Sequence, residues 1–224
     1  MPVLLSLGHG YTADHLAQRL LALGWQVIGT TRDHARAEAM KIAGIEPLLW
    51  PCDLAPALAR ATHILASAAP GDGGDPFLGA ALPAISRSRP QWAGYLSTTA
   101  VYGDHGGAWV EEDTPLNPQS VRAVQRVLAE RQWLGTGLPV HIFRLAGIYG
   151  PGRGPFAKLR QGTAQLIIKP GQVFSRAHVD DIATVLMASM AQPNPGRIYN
   201  VCDDEPAPPE DVLRHAARLL NMPE

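Results

Sequence analysis

The sequence predicts a doubly wound α/β fold, in which a parallel sheet is covered on both faces by helices. Three observations carry this: short strands that read as continuous apolar runs, amphipathic segments that alternate with them, and a glycine turn at the first strand-to-helix junction. A strand that is apolar on both faces must be buried on both, which a parallel sheet between two helical layers provides.

The elements follow in order. Val3 to Leu7 is an apolar strand that stops at Gly8, and Asp14 to Leu23 sets Leu16, Leu20, Leu21 and Leu23 at helical spacing. Gly24 ends that helix, and Trp25 to Gly29 forms a second strand. Asp33 to Ala43 reads as a second helix and Ile45 to Trp50 as a third strand. His63 to Ala68 gives a fourth strand, Asp75 to Arg89 contains a helix, and Ala93 to Thr98 gives a fifth strand. Gln119 to Leu134 is a long helix, and Val140 to Leu145 is a sixth strand. Asp180 to Ala191 is a helix, Arg197 to Val201 a last short strand, and about Pro208 to Asn221 a final helix. Only Gly147 to Gln172 breaks the rhythm, with glycines and prolines that mark it as loop over a crevice at the strand ends.

Composition narrows the function classes. The 224 residues are long enough for one large domain with a sizeable core, and 46% hydrophobic with 17% charged residues indicates a compact soluble globule. A net charge of -1 gives no general attraction to nucleic acid or anionic membrane. Cys52 and Cys202 belong to no paired metal or redox motif and read as buried free thiols, and the histidines show no paired ligand spacing, so no metal site is expected. Met1 to Leu5 lacks the basic start of a signal peptide, and no segment approaches the ~20 apolar residues of a membrane span. The expected location is the cytoplasm and the expected partner a small molecule.

Gly8-His9-Gly10-Tyr11-Thr12-Ala13 fits the dinucleotide fingerprint, with a strand before it and a helix after it. Gly8 permits the tight turn, Gly10 lets the backbone approach a pyrophosphate, and Ala13 lets the helix pack on the sheet. The amides of Tyr11, Thr12 and Ala13 at the helix start would face the phosphates. His9 reads as a variable position of the loop. At the end of the second strand, Thr30 and Thr31 fill the position where an acid would accept from ribose, and Arg32 follows. That pattern favours NADP over NAD, with Thr31 and Arg32 beside the 2′-phosphate; Asp33 is a plausible helix cap. Asp53-Leu54 after the third strand and Ser67-Ala68-Ala69 after the fourth would flank adenine and ribose, although Asp53 could equally cap a helix.

These motifs, with Ser97-Thr98-Thr99-Ala100-Val101-Tyr102-Gly103, Arg144 to Gly152, His178-Val179-Asp180-Asp181 and Tyr199-Asn200-Val201, resemble the extended short-chain dehydrogenase/reductases of the NAD-dependent epimerase/dehydratase family. The resemblance covers nearly the whole chain. It implies a Rossmann-like dinucleotide-binding core at 1–146. It also implies a substrate side at 147–224, made of the glycine-rich loop, the final strand and helices interwoven with the core.

In that family Thr98 would hold the reacting oxygen, and a Tyr-x-x-x-Lys pair would start the next helix. Here Arg122 and Arg126 occupy those two positions. A guanidinium stays protonated near neutrality and cannot serve as the acid/base a phenol provides, although Arg126 can still donate to a ribose. Tyr102, Tyr149, His178 or a bound water are the conceivable substitute acids, with Tyr102 read as structural, and Asp180 looks like an N-cap. Thr99, Tyr149, Arg176 and His178 would border the substrate. Phe174 stands where sugar-nucleotide members carry an arginine, so the substrate is an unknown small molecule. The alternative is a non-catalytic NADP(H) sensor. The resemblance also implies a homodimer through the helices at 75–89 and 119–134. Relatives continue with further elements, so an end at Glu224 leads to the expectation of a truncated copy or an open crevice.

Overall fold

A computed structural model describes residues 1–223; Glu224 lies outside the described residues. The chain runs β1 (Val3–Leu7), α1 (Tyr11–Ala22), β2 (Gln26–Thr31), α2 (His34–Ile42), β3 (Glu46–Leu49), α3 (Ala55–Arg60), β4 (His63–Ala66), α4 (Pro76–Arg87) and β5 (Trp92–Thr98). A 3-10 turn (Thr99–Tyr102) follows. Next come α5 (Val121–Leu134), β6 (Val140–Leu145), β7 (Gly147–Tyr149), α6 (Pro155–Arg160), β8 (Arg176–His178), α7 (Val179–Ala191), β9 (Ile198–Val201) and α8 (Pro209–Leu219).

Seven strands form one sheet in the order β3-β2-β1-β4-β5-β6-β9, and every pairing is parallel. The order reverses between β1 and β4, which opens a crevice beyond their carboxyl ends. Successive strand residues point to opposite faces, so one strand feeds two cores. Leu5, Ile64, Tyr95 and Ile142 pack with Leu58, Phe77, Ile85 and Trp133 of α3, α4 and α5. On the other face Leu4, Leu65, Trp92 and Phe143 pack with Leu16 and Leu20 of α1 and with Ile182 and Leu186 of α7. Burying each such side chain contributes roughly 1.5–3 kcal/mol, which explains why the strand interiors read as unbroken apolar runs.

Four findings depart from the sequence reading. A helix, α3, lies between β3 and β4; it has only six residues, too few to display periodicity. The segment expected as loop contains α6, and its start, β7, pairs in parallel with β8 as a separate two-stranded ladder. Three-residue strands carry no sequence pattern of their own. Cys52 and Cys202 are exposed rather than buried, because each follows the end of a strand where the chain leaves the sheet. His178, not Asp180, caps α7: its Nδ1 accepts from Asp180 N at 3.3 Å, while Asp180 crosses to His15 at 3.1 Å. Among the described residues, no cluster of three His, Cys, Asp or Glu could hold a metal, and no helix is long and apolar enough to cross a membrane.

Candidate cofactor cradle and active-site crevice

The loop between β1 and α1 is tied down on two sides. Gly8 N donates to Thr30 Oγ1 at 2.7 Å, His9 N donates to Thr30 O at 3.0 Å, and Ser67 Oγ donates to Gly8 O at 2.7 Å. Gly8 has φ +80, and a Cβ there would lie 2.7 Å from Ala68 N, so only glycine fits. Gly10 differs. A Cβ on it would meet nothing nearer than Gly8 O at 3.8 Å, and α1 has no side-chain cap. The amides that open α1, those of Tyr11, Thr12 and Ala13, have no partner within the helix and no side-chain cap, and the space beside Gly10 is open, an arrangement that fits a pyrophosphate. Ala13 is buried against the sheet.

At the end of β2 the structure divides the residues that the sequence had grouped. Thr30 is 1% exposed and its hydroxyl is committed to Gly8, so it serves the loop rather than a ligand. Thr31 is half-buried and Arg32 exposed at the strand's carboxyl end; Asp33 caps α2 by accepting from Arg36 N at 2.8 Å. His9 is not a free loop position. Its ring is buried, with Nε2 3.0 Å from Asp14 Oδ1, and Arg36 donates to the other oxygen of Asp14. Although burial opposes it, hydrogen bonds from His9 and Arg36 hold the Asp14 carboxyl below the usual range. Gly29 makes room for this arrangement, since a Cβ there would lie 2.9 Å from His9 Cγ.

Other expected cofactor residues line the same edge. Ser67, Ala68 and Ala69 follow β4, with Ala69 exposed. Asp53 is exposed and accepts from Ala55 N at 2.9 Å, a local turn just before α3, whose N-cap is Leu54. Leu54 is 1% exposed in the apolar core, leaving only its backbone for a ligand.

At the crevice, β5 ends at Thr98, which is half-buried and caps the following 3-10 turn by accepting from Ala100 N at 3.2 Å; Thr99 is half-buried beside it. Arg126 reaches across from α5. Its Nη1 donates to Leu96 O at 2.8 Å, to Tyr95 Oη at 3.1 Å and to Ala68 O at 3.4 Å, which joins α5 to the ends of β4 and β5. Burial pushes the Tyr95 hydroxyl up to about 12, against the opposing pull of Arg126, so it is a poor proton donor near neutrality. Arg122 lies one helical turn before Arg126 and is exposed.

Beneath these residues runs a buried polar chain that the sequence reading did not assemble. Ser97 Oγ donates to Glu130 Oε1 at 2.5 Å, and Arg144 donates to both oxygens of Glu130, at 3.2 and 2.9 Å. Arg144 also donates to Tyr102 Oη at 2.8 Å, and Tyr102 donates to Asn200 Oδ1 at 2.7 Å. Tyr102 is 1% exposed and fully engaged, in keeping with a structural role. The one signal in the sequence was Arg144 inside the mostly apolar strand β6; Glu130 stands in a helix rich in polar and charged residues and does not stand out there.

On the substrate side, Tyr149 and His178 meet edge to face with ring centroids 5.1 Å apart. Arg176 is turned to the backbone, its Nη1 donating to Phe174 O at 2.8 Å and to Ala207 O at 3.3 Å. A contact with no sequence signal closes this edge. Tyr11 Oη donates to Pro151 O at 3.0 Å, and the Arg153 guanidinium lies 5.4 Å from the Tyr11 ring centroid. The glycine-rich segment thus leans on the first residue of α1, beside the pyrophosphate cradle.

Comparison with known proteins bears on the family and the fold. Residues 80–202 match the model of the NAD dependent epimerase/dehydratase family. "Protein YeeZ" of Escherichia coli K12 is 34% identical over 236 aligned positions, covering 96% of this chain and 83% of that protein. The solved structure of a functionally unknown conserved protein from Silicibacter pomeroyi is 57% identical, with a TM-score of 0.95 over 100% of this chain and 80% of that one. At 21% identity, the UDP-glucuronic acid 4-epimerase of Bacillus cereus, solved with NAD, superposes with a TM-score of 0.82 over 100% of this chain and 85% of its own, a likeness of fold.

Proposed function

Because the chain belongs to the NAD dependent epimerase/dehydratase family, we propose that it binds a nicotinamide dinucleotide across the ends of β1, β2 and β4. We propose further that it acts on a small carbonyl or hydroxyl compound held at the end of β5. The observation that carries this reading is the Gly8–Gly10 cradle: one glycine is required by its backbone, while the other faces open space where a side chain would fit the fold but obstruct a ligand. Structures of similar fold solved with NAD support the coarser assignment. The preference for NADP rests on this chain alone, on exposed Arg32 at the end of β2 with no carboxylate among Thr30 and Thr31.

When bound, the nicotinamide supplies or accepts hydride. The residues around it have separate tasks: the α1 amides receive the phosphates, and Arg126 holds the strand ends that border the ring. Thr98 offers a hydroxyl to the reacting oxygen. Neither Arg122 nor Tyr95 is suited to give the proton, so water in the open crevice would supply it. The test is loss of reduced-nicotinamide absorbance with a panel of small aldehydes, ketones and oxo acids, for the native chain and for the double variant Arg122→Tyr with Arg126→Lys. Turnover in the native chain supports the reading.

Arg122 favours a second reading, a dinucleotide sensor that keeps the cradle but lacks an acid. Turnover only in the double variant, or dinucleotide binding without turnover in either form, would favour the sensor.

A further inference from the structure

The glycine-rich segment after β7 begins with a closed turn. Gly150-Pro151-Gly152-Arg153 has proline second and glycine third, with Gly152 at φ +69, the pattern of a type II turn. Gly150 N donates to Arg153 O and Arg153 N to Gly150 O, each at 3.0 Å. The base of the turn is pressed on two helices: a Cβ on Gly150 would lie 2.7 Å from Val179 Cγ1 of α7 and 2.8 Å from Tyr11 Oη of α1. Its tip is tied by the Tyr11 hydroxyl, which donates to Pro151 O at 3.0 Å. Arg153 therefore leaves the turn at a fixed place, with its guanidinium 5.4 Å from the centre of the Tyr11 ring. Burial raises the pKa of the Tyr11 hydroxyl, and the nearby charge of Arg153 opposes that rise.

Tyr11 is the first residue of α1, and a helical Cβ tilts toward the helix N-terminus. Its ring thus leans toward the end where the amides of Tyr11, Thr12 and Ala13 lack partners, and it brings the Arg153 guanidinium to the mouth of the cradle. The ring contact uses none of the guanidinium's N–H donors, and among the described residues no carboxylate or carbonyl takes them. The acids nearest this mouth are matched elsewhere: Asp14 meets His9 and Arg36, and Asp180 meets His15 at 3.1 Å and Arg19 at 3.5 Å. We propose that Arg153 is a cofactor-binding residue whose guanidinium closes on the pyrophosphate of the dinucleotide opposite the α1 amides. This rests on the reading of Gly8 to Gly10 as a dinucleotide cradle. A diphosphate has oxygens for both sides, and the planar fork of an arginine matches a phosphate edge. Because Arg153 belongs to the turn that follows Tyr149, the bound diphosphate also holds the substrate-side segment in place.

The experiment is calorimetry with ADP-ribose, which carries the diphosphate without nicotinamide or 2′-phosphate, and with adenosine 2′-monophosphate, which has no diphosphate. The native chain is compared with Arg153→Gln, Arg153→Lys and Tyr11→Phe. ADP-ribose is expected to bind ~10-fold or more weakly in Arg153→Gln and to recover in part in Arg153→Lys. Added salt should weaken its binding to the native chain more steeply than to Arg153→Gln. Tyr11→Phe keeps the ring and the amides but cuts the tie to Pro151, so it should weaken ADP-ribose by a smaller factor, about threefold. Adenosine 2′-monophosphate should bind native and Arg153→Gln chains within about twofold of each other, and the thermal midpoint should stay near the native value, since Arg153 is exposed. An ADP-ribose affinity unchanged in Arg153→Gln, or an equal loss for both ligands, would overturn the role of Arg153 and leave the cradle standing. If the native chain binds neither ADP-ribose nor NADPH, the cradle reading itself fails and the proposal falls with it.

Discussion

Glu130 and Arg144 meet in a two-point pair, 2.9 Å from Nη2 to Oε2 and 3.2 Å from Nε to Oε1, with both side chains almost wholly out of water. The pair joins α5 to β6 directly beneath the crevice, and Ser97 and Tyr102 bond to its two ends. Removing one partner would leave a buried charge without its counterpart. Glu130→Ala is therefore expected to cost about 3–5 kcal/mol, read as a lower urea midpoint. An unchanged midpoint would mean that the pair does not anchor α5.

Tyr102 extends the same network, and its hydroxyl is expected to matter for stability and not for chemistry. Tyr102→Phe should lose about 1–3 kcal/mol, because Arg144 and Asn200 each lose a buried partner. Any turnover measured per folded molecule should be retained. A large loss of turnover without loss of stability would make Tyr102 the missing acid.

The two glycines of the cradle should separate folding from binding. Gly8→Ala places a side chain at φ +80 and 2.7 Å from Ala68 N, so it should destabilise the fold by about 2–4 kcal/mol, from the left-handed backbone and overpacking together. Gly10→Val meets open space in the protein, so its thermal midpoint should stay near the native value while dinucleotide affinity falls at least ~10-fold. Equal effects of both on stability would contradict the assignment of open space above Gly10.

His63 and His141 lie buried at the opposite end of the sheet, His141 stacked on Trp92 and His63 tilted against it, and burial lowers both ring pKa values, with backbone bonds to His141 opposing in part. The unfolded chain, where histidine titrates near ~6.5, takes up these protons before the folded one does, so stability rises with pH through this window. Their contribution is complete above about pH 6.5 and is lost as pH falls below it toward the folded values. The urea midpoint should drop between about pH 7 and 5.5, and ring-proton NMR should place both titrations below ~6.5. A midpoint that rises on acidification would reverse the sign.

Order of strands and helices was legible because burial on both faces writes itself into continuous apolar runs, as in Val3 to Leu7 and Val140 to Leu145. The cradle was legible because a glycine is needed at Gly8, where φ is +80, and because Gly10 and Ala13 follow it at the spacing of the dinucleotide fingerprint. What escaped was short or non-local. The six residues of α3 and the three of β7 carry too little pattern, and His9–Asp14–Arg36 joins three side chains from two helices and a loop. The part played by Thr30 escaped for a related reason: a hydroxyl at a strand end reads the same whether it faces the crevice or staples Gly8, and only burial distinguishes the two. Tyr11 and Pro151 are 140 residues apart in sequence, and nothing local announces their contact.

The most direct test of the account is calorimetry of the purified chain with NADPH and, separately, NADH, repeated for Arg32→Ala. Both dinucleotides are expected to bind, NADPH more tightly, with Arg32→Ala weakening NADPH by ~10-fold or more and leaving NADH nearly unchanged. Failure of the native chain to bind either dinucleotide would contradict it.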